Sequence, residues 1–321
     1  MILSSYKYIL YNILMKQFYL SNYKNNKINV IEGQKINNIK CILLHVHGLG
    51  AHFQPIYKSL DDFKERDNIF KNYNIKSFAF EFHGHGKSGG TRCSINNFDD
   101  LLFDLNLVLT YLKTIYDYPI YLLSESMGSA ICIKYCIMGL LNENIKINKK
   151  VQITNYIKIQ GLILLSPLCG IKKEMQPKPF VKKLLVCFSY CFPNLKLITQ
   201  TKNMAEKTTN NIDFIQARQN NLYSYKYKHR LCTGRELLKM TNWINDHGYL
   251  LELPTLIFHG EKDNITDPRI TEKLYNNINT IKKELYLIPN GDHSLLLDST
   301  LSYNILQKIS DWIITNLEVI I

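Results

Sequence analysis

A serine between a strand-like run and a helix-like run is the residue best suited to chemistry. The stretch Ser124-Glu-Ser-Met-Gly128 follows the apolar run 120–123 and precedes the apolar pattern over 129–140. A serine on a sharp strand-to-helix turn is a nucleophile elbow, which usually reads Gly-x-Ser-x-Gly. Neighbouring backbone passes close to such a turn, so the residues two before and two after the serine must be small. Gly128 meets this demand and Ser124 nearly does, so we predict that Ser126 is the nucleophile.

An acid and a histidine that could activate Ser126 follow it in the chain. HGEKDNITDP places Asp263 just past the apolar run 254–260, and PNGDHSLLLD places His293 just past the run 284–289. Both residues would lie in loops at the carboxyl edge of a parallel sheet, where open α/β sheets bind ligands. The three residues together predict nucleophilic catalysis with Ser126, Asp263 and His293 as a triad.

Two further acids compete with Asp263 in the sequence. Asp267 precedes Pro268, a pattern that favours capping of the next helix. Asp292 adjoins His293, but we expect its side chain to point elsewhere in an extended loop. We therefore assign the acid to Asp263.

Backbone N–H groups near the nucleophile would bind the negative oxygen that forms when a carbonyl is attacked. One should come from Met127, the residue after the nucleophile. The other should come from the loop after the run 41–47, in HVHGLGAHF, and Leu49 is our candidate. Because glycines let backbone approach a substrate closely, we also expect His47, Gly48 and Gly50 to contact it.

The elements that must position these residues follow from hydrophobic patterning. Six short runs rich in Ile, Leu, Phe and Val are largely apolar and do not alternate with polar residues, as is typical of strands buried on both faces of a parallel sheet. They lie at 41–47, 76–82, 120–124, 159–167, 254–260 and 284–289, and helical patterns separate them. This alternation predicts an α/β fold with a doubly wound, mostly parallel sheet, and the polar segment 19–39 predicts an antiparallel pair at its edge.

One long segment interrupts the alternation. Residues 168–250 separate two predicted strands, and a structureless loop of that length is implausible in a compact domain. We predict a helical cap or lid there, inserted into a core formed by 1–167 and 251–321. Within it, KPFVKKLLVCFSYCF (178–192) suits either a lid that touches a membrane surface or an ordinary amphipathic cap helix.

The amino-acid composition indicates which partners to expect. The net charge of +12 comes with heavy use of Lys, Asn and Ile together, and no nucleic-acid-binding module matches, so we expect no nucleic-acid partner.

The eight cysteines form no CxxC pair, which favours buried free thiols in a reducing, cytoplasmic compartment. The N-terminal stretch 1–18 could be an interfacial helix, for peripheral membrane association, or a structural cap.

The pairs His45/His47 and His83/His85 could suggest a metal site. Metal-dependent hydrolases usually add a nearby Asp in the same motif, and neither pair has one. We therefore expect both pairs to support glycine-rich loops, and we expect no metal and no cofactor.

Five motifs taken together resemble one known family. HVHGLGAHF, FHGHGKSGG, SESMGSA, HGEKDNITDP and PNGDHSLLLD occur in the order typical of the monoacylglycerol lipase/lysophospholipase branch of the α/β-hydrolases, the serine aminopeptidase S33 or hydrolase-4 type. The resemblance runs from about 17 to 318, and 220–240 resembles the family's cap. The chain departs from the pattern at Ser124, where Gly is usual, and at Phe82-His83, where Asp or Arg often stands.

The resemblance implies an α/β-hydrolase fold and a serine ester hydrolase. Ser126 would be the nucleophile, Asp263 the acid, His293 the base, and Leu49 and Met127 the oxyanion donors. The implied substrates are single-chain lipid esters, either monoacylglycerols or lysophospholipids. A small-ester carboxylesterase, a thioesterase and a non-catalytic binding protein of the same fold are the alternatives.

Overall fold

The computed structural model describes residues 15–54, 63–146, 152–197, 207–297 and 299–318. Eight of the described strands form one sheet, in the order β1-β2-β4-β3-β5-β8-β9-β10. They are β1 Lys16–Ser21, β2 Lys27–Glu32, β3 Cys41–Val46, β4 Ile75–Glu81, β5 Ile120–Glu125, β8 Gly161–Leu165, β9 Thr255–Gly260 and β10 Lys283–Ile288. Two short strands, β6 Ile145–Lys146 and β7 Gln152–Ile153, pair separately.

The sheet is parallel from β4 to β10, and among its described strands only β2 runs antiparallel to its neighbours. The strand β5 lies between β3 and β8, and all three are buried along nearly their whole length. Continuous apolar runs predicted this burial, and the α/β-hydrolase fold is confirmed.

The antiparallel pair at the edge begins earlier than predicted. β1 starts at Lys16, inside the stretch 1–18 that we considered for an interfacial helix or a cap, and Phe18 pairs with Val30 of β2. Phe18 is half-buried against the core, and this packing favours a strand over a helix at that point. Residues 1–14 of that stretch lie outside the described residues.

Helices cover both faces of the sheet. The described helices are α1 Phe63–Lys71, α2 Asp99–Ile115, α3 Met127–Leu140, α4 Pro179–Cys191, α5 Ile212–Asn220, α6 Leu231–His247, α7 Pro268–Asn277 and α8 Ser299–Glu318. In β3, Ile42 and Leu44 join the buried cluster that contains α2 and α3 side chains, while Leu43 joins the one that contains α8 side chains. Because side chains alternate between the faces of a strand, the two clusters lie on opposite sides, as in a doubly wound fold.

The described part of residues 168–250 contains three α-helices, α4, α5 and α6, and the non-helical residues 221–230 connect α5 to α6. The inner side of α6 is not separate from the core, because Met240 and Ile244 belong to the cluster beneath α2 and α3. In contrast, α4 has one fully buried residue, Ser189, and most of its side chains are exposed. Among the described helices, none is both long and apolar enough to cross a membrane.

The cysteine prediction was wrong at two positions. All eight cysteines are free, and six are buried, but Cys187 and Cys191 are exposed. They lie one turn apart on α4, on a face that the rest of the described chain leaves uncovered. Apolar neighbours in the sequence suggested burial, but they mark an exposed apolar surface here. The reducing compartment itself stays a prediction.

Candidate active site

Ser126 lies at the turn between β5 and α3. Its φ is 51° and its ψ is −116°, a conformation that costs free energy for a residue with a side chain. Hydrogen bonds hold the turn on both sides: the Ser126 N–H donates to the carbonyl of Leu165 at 3.0 Å, and the Leu168 N–H donates to the carbonyl of Ser126 at 3.0 Å. The end of β8 and the loop after it therefore fix the strained turn in place.

The residue two after the serine has to be glycine. A Cβ on Gly128 would stand 2.6 Å from the carbonyl oxygens of both Val46 and His47, which belong to β3 and the loop after it. Contacts this close are excluded for a side chain. The glycine therefore lets α3 start directly against β3 and aim its N-terminus at the site.

Ser124 points into the protein. It is fully buried, and its Oγ lies 3.1 Å from the carbonyl oxygen of Ile163 and 3.2 Å from Oγ of Ser129. Ser129 in turn donates to the carbonyl of Ser124 at 3.0 Å. These bonds satisfy the extra hydroxyl, and they explain how serine is accommodated where the turn usually has glycine.

Asp263 accepts hydrogen bonds from several directions. Its Oδ2 lies 2.7 Å from Nδ1 of His293, 3.0 Å from Nε2 of His259 and 2.7 Å from Oγ1 of Thr266. Its Oδ1 accepts from the N–H groups of Ile265 at 2.7 Å and Thr266 at 3.0 Å. Burial alone would raise the pKa of this carboxyl, but His293 and His259 hold the pKa well below its usual range.

His259 is a neighbour of the acid that the sequence did not predict. It is fully buried at the end of β9, and its Nδ1 lies 2.8 Å from Oγ1 of Thr271. If Nε2 carries the proton toward Asp263, then Nδ1 accepts from Thr271, and every polar atom of the ring has a partner. The four-residue spacing between His259 and Asp263 was visible in HGEKD, but we interpreted that histidine only as the end of a strand.

Asp267 and Asp292, the two alternatives to Asp263 as the triad acid, form hydrogen bonds with other residues. Asp267 caps α7, and its Oδ1 accepts from the Arg269 N–H at 3.1 Å. Asp292 accepts from the N–H of Asn210 at 3.0 Å, which ties the loop before His293 to the segment before α5. The structure therefore brings Asp263, and neither rival, to His293.

Ser126 and His293 open into the same cavity of about 530 Å³. Gly48, Leu49 and Met127 line this cavity too, so the two residues predicted to donate N–H groups border the same space as the serine. Its walls are largely apolar and come from the core and from residues 168–250; they include Leu165, Leu168, Val186, Leu231, Leu238 and Leu296.

The side chain of His47 hydrogen-bonds the backbone of the loop that follows β3. Its Nδ1 lies 2.7 Å from the carbonyl oxygen of Gly48, its Nε2 accepts from the Phe82 N–H at 3.1 Å, and burial lowers its pKa to about 4. It is absent from the described residues that line the cavity, and its contact with substrate stays a prediction. Gly50 is also absent from that lining, and its φ of 71° is one that glycine adopts readily.

The histidine pairs form no metal centre among the described residues, where no group of three metal-binding side chains occurs. His83 instead bonds Asp104, with 2.6 Å between Nδ1 and Oδ2, so a histidine anchors the turn where the family usually has Asp or Arg. The ring of His85 packs against that of His47 at 5.0 Å.

Comparison with known proteins identifies the family of the chain. The model of the family described as "Serine aminopeptidase, S33" (Hydrolase_4) matches residues 37–300, most of the chain. The chain belongs to the Hydrolase_4 family. Members of this family are serine hydrolases, and this chain is an enzyme of that class.

Relatives within the Hydrolase_4 family are named lipases and esterases. The monoglyceride lipase of Saccharomyces cerevisiae is 27% identical over 274 residues, which cover 81% of this chain and 79% of the relative. The caffeoylshikimate esterase of Arabidopsis thaliana is 24% identical over 80% of this chain and 72% of its own length. Such relationships are consistent with ester hydrolysis.

Solved structures share the fold. A soluble variant of the Saccharomyces cerevisiae monoglyceride lipase, in complex with a substrate analogue, superposes with a TM-score of 0.73 at 18% identity, over 94% of each chain. The monoacylglycerol lipase of Paleococcus ferrophilus gives 0.70 at 16% identity, over 94% of this chain and 99% of that one. At these identities the likeness concerns the fold.

Proposed function

We propose that this protein hydrolyses carboxylic esters of single-chain lipids, monoacylglycerols or lysophospholipids, through a Ser-His-Asp triad. One observation carries the proposal. His293 bonds a buried carboxylate through Nδ1 and opens, together with a strained serine, into an apolar cavity. A buried Asp–His pair beside such a serine is the arrangement that activates a hydroxyl for acyl transfer.

The proposed reaction has two acyl-transfer steps. Because Nδ1–H of His293 points to Asp263, Nε2 is left to take the proton from Ser126 as its Oγ attacks the ester carbonyl. The N–H groups of Leu49 and Met127 hold the oxyanion, and the N-terminus of α3 adds its partial positive charge. The protonated His293 releases the alcohol, and water then hydrolyses the acyl-enzyme with His293 as base. The proposal requires no cofactor.

The lipid part of the proposal rests on the cavity and on the segment 168–250. That segment supplies Val186, Leu231 and Leu238 to the apolar wall, and we propose that it acts as a cap over an acyl chain. The relatives named monoglyceride lipase agree with this substrate class. An acetyl ester would leave most of such a wall without contact.

An acyl-chain series tests the substrate class. With glycerol and p-nitrophenyl esters that run from acetyl to oleoyl, kcat/KM should rise about fourfold for each methylene that the cavity buries, and then level off. A preference for acetyl or butyryl esters would instead support a small-ester carboxylesterase, and faster turnover of acyl thioesters would support a thioesterase. If no ester is hydrolysed although the lipids bind, the chain is a binding protein.

We also propose that the outer face of α4 touches a lipid surface when substrate enters. Phe180 is 79% exposed, and Leu184, Phe188 and Phe192 are exposed on the same segment. Four lysines and no acidic residue lie between 176 and 197, so the charge of this segment suits anionic headgroups. This surface also contains the two exposed cysteines.

Replacing both Phe180 and Phe188 with aspartate should weaken binding to anionic phospholipid vesicles about tenfold or more, because two apolar anchors are lost and two negative charges are gained. Vesicle co-sedimentation measures the loss. Ile281→Asp is the matched control, since Ile281 is 99% exposed but lies far from α4 in the chain. Turnover of monomeric p-nitrophenyl butyrate should stay unchanged in both variants, and equal vesicle binding by both would contradict the proposal.

A further inference from the structure

The loop that carries His293 is bonded, on both sides of the histidine, to the segment that leads into α5. The Ser294 N–H donates to the carbonyl of Thr208 at 2.9 Å. Asp292 accepts from the Asn210 N–H at 3.0 Å, and its two carboxylate oxygens lie 3.0 Å and 3.3 Å from Nδ2 of the same asparagine. Both chain neighbours of the proposed base are therefore bonded to the proposed cap.

The start of α5 extends this contact. Asn211 is the N-cap of α5, where its Oδ1 accepts from the Phe214 N–H at 3.0 Å. Nδ2 of Asn211 donates to the carbonyl of Leu297 at 3.3 Å, and the buried side chains of Phe214 and Leu297 pack together. The side chain that caps α5 thus also joins this helix to the far end of the His293 loop.

The core anchors the same loop before and after the histidine. A Cβ on Gly260 would stand 2.2 Å from the carbonyl oxygen of Gly291, so the loop passes directly over the end of β9. Further along, Leu295 and Leu296 are buried in the cluster that contains α8 side chains. We therefore expect the loop to keep its course without the cap, whose bonds act on residues 292–294 between these anchors.

His293 has to meet two partners at once. Its Nδ1 lies 2.7 Å from Oδ2 of Asp263, and its Nε2 must reach Ser126 in the proposed reaction. A general base works only within hydrogen-bond reach of the proton that it takes, and a misplacement of about 1 Å can cost on the order of 100-fold in rate. The backbone that carries the ring therefore has to be held closely.

We propose that Asn210 is a positioning residue for His293. By bonding Asp292, it holds the base in line with Ser126, so the cap contributes to catalysis as well as to binding of the acyl chain. This inference rests on the proposed function, which gives the cap only the second role. Asn210 is not among the described residues that line the cavity, so its effect passes through the His293 loop.

Asn210→Ala tests this role, because it removes the side-chain bonds to Asp292 and changes no charge. We expect kcat to fall between about threefold and about thirtyfold, with KM within about twofold of wild type. The factor should be the same for p-nitrophenyl butyrate and p-nitrophenyl oleate, since both esters use the same base. A loss confined to the oleate, as expected of a cap that only binds the acyl chain, would overturn the proposal, and so would an unchanged kcat.

Variants of Asp292 separate position from charge. Asp292→Ala removes the acceptor for both groups of Asn210, and kcat should fall between about tenfold and about a hundredfold. Asp292→Asn removes the same charge but keeps an oxygen for the Asn210 N–H, so kcat should stay within about fivefold of wild type. Equal losses in the two variants would mean that the charge beside His293 matters rather than its position, which contradicts the proposal.

The double variant Asn210→Ala/Asp292→Ala shows whether the two residues act through one contact. If they do, its kcat should lie within about twofold of that of Asp292→Ala alone. Losses that multiply would assign independent roles to the two residues, and the positioning proposal would be wrong.

Asn220→Ala is the matched control, because Asn220 is exposed at the other end of α5. Its kcat and KM should equal those of wild type on both esters. Melting temperatures should stay close to that of wild type in all these variants, since the loop keeps its anchors in the core. A fall in kcat in Asn220→Ala as large as in Asn210→Ala would show that any change in α5 disturbs the site, and would overturn the proposal.

Proton NMR separates this inference from the proposed function, because it needs no turnover. A histidine N–H bonded to a buried carboxylate gives a resolved low-field signal, and His293→Ala identifies which signal belongs to His293. That signal should broaden in Asn210→Ala, through faster exchange with water, and stay sharp in Asn220→Ala. If this pattern holds while wild type hydrolyses no lipid ester, the positioning role stands and the proposed function fails. If lipid esters are hydrolysed but the signal is unchanged in Asn210→Ala, the proposed function stands and the positioning role is wrong.

Discussion

Replacing Ser126 with alanine should lower kcat on an oleoyl ester on the order of 10⁴–10⁶-fold. Without Oγ no acyl-enzyme can form, and the remaining groups can only assist attack by water. The turn itself should survive, because its hydrogen bonds come from backbone groups of Ser126, Leu165 and Leu168. Steady-state turnover measures the effect, and an unchanged melting temperature shows that the fold is intact.

The matched control is the other serine of the same turn. Ser124→Gly restores the residue usual at this position and removes a hydroxyl bonded to Ile163 and Ser129, away from the cavity. We expect kcat within about threefold of wild type, and a loss of stability of about 1 kcal/mol from the hydrogen bond and the added backbone freedom. A loss of kcat in Ser124→Gly as large as in Ser126→Ala would contradict the assignment of the nucleophile.

Replacing Asp263 with asparagine should lower kcat about 10⁴-fold, with the site geometry largely kept. An amide nitrogen facing His293 would favour the wrong tautomer, which has its proton on Nε2 and can no longer accept from Ser126. The charge that stabilises protonated His293 is lost as well. Turnover at saturating substrate measures the fall.

Asp267→Asn is the control for this prediction, because it alters the rival acid by the same chemical change. Asparagine caps helices as well as aspartate does, so α7 should persist and kcat should stay within about threefold of wild type. Should Asp267→Asn be inactive and Asp263→Asn active, the acid would have to be reassigned.

Much of the fold could be predicted from the sequence, because the hydrophobic patterns agree with the burial of the same residues in the folded protein. The apolar runs at 41–47, 120–124 and 254–260 can be buried on both faces only in a covered parallel sheet, and each of them is a strand. The elbow could be predicted for a similar reason. Its two conditions, a strand before and a helix after, are themselves local in sequence.

Contacts between residues far apart in the chain could not be predicted from the sequence. The hydrogen bond from His259 to Asp263 is one example. It depends on how the end of β9 packs against α7, because Thr271 of α7 hydrogen-bonds the other ring nitrogen of His259. Arg218 of α5 lies near Gly50, in the loop after β3, although the two residues are more than 160 positions apart in the chain. No local pattern in FIQARQN indicates which side of the helix meets that loop.

The sequence also did not determine whether the apolar side of a surface helix faces the core or the outside of the protein. The sequence showed that Cys187 and Cys191 share one side of a helix, but an apolar side can face either a core or a lipid surface. The exposed side chains on α4 favour the second interpretation. His47 is a second example, because the sequence did not indicate that its buried ring hydrogen-bonds backbone groups of Gly48 and Phe82.

The central claim is that Ser126 is an activated nucleophile, and the site of covalent labelling tests it most directly. After reaction with a fluorophosphonate probe, tryptic digestion and mass spectrometry should find one phosphonylated residue, Ser126, and labelling should disappear in both Ser126→Ala and His293→Ala. An adduct on Ser124 or on another residue, or labelling that persists in Ser126→Ala, would contradict the account.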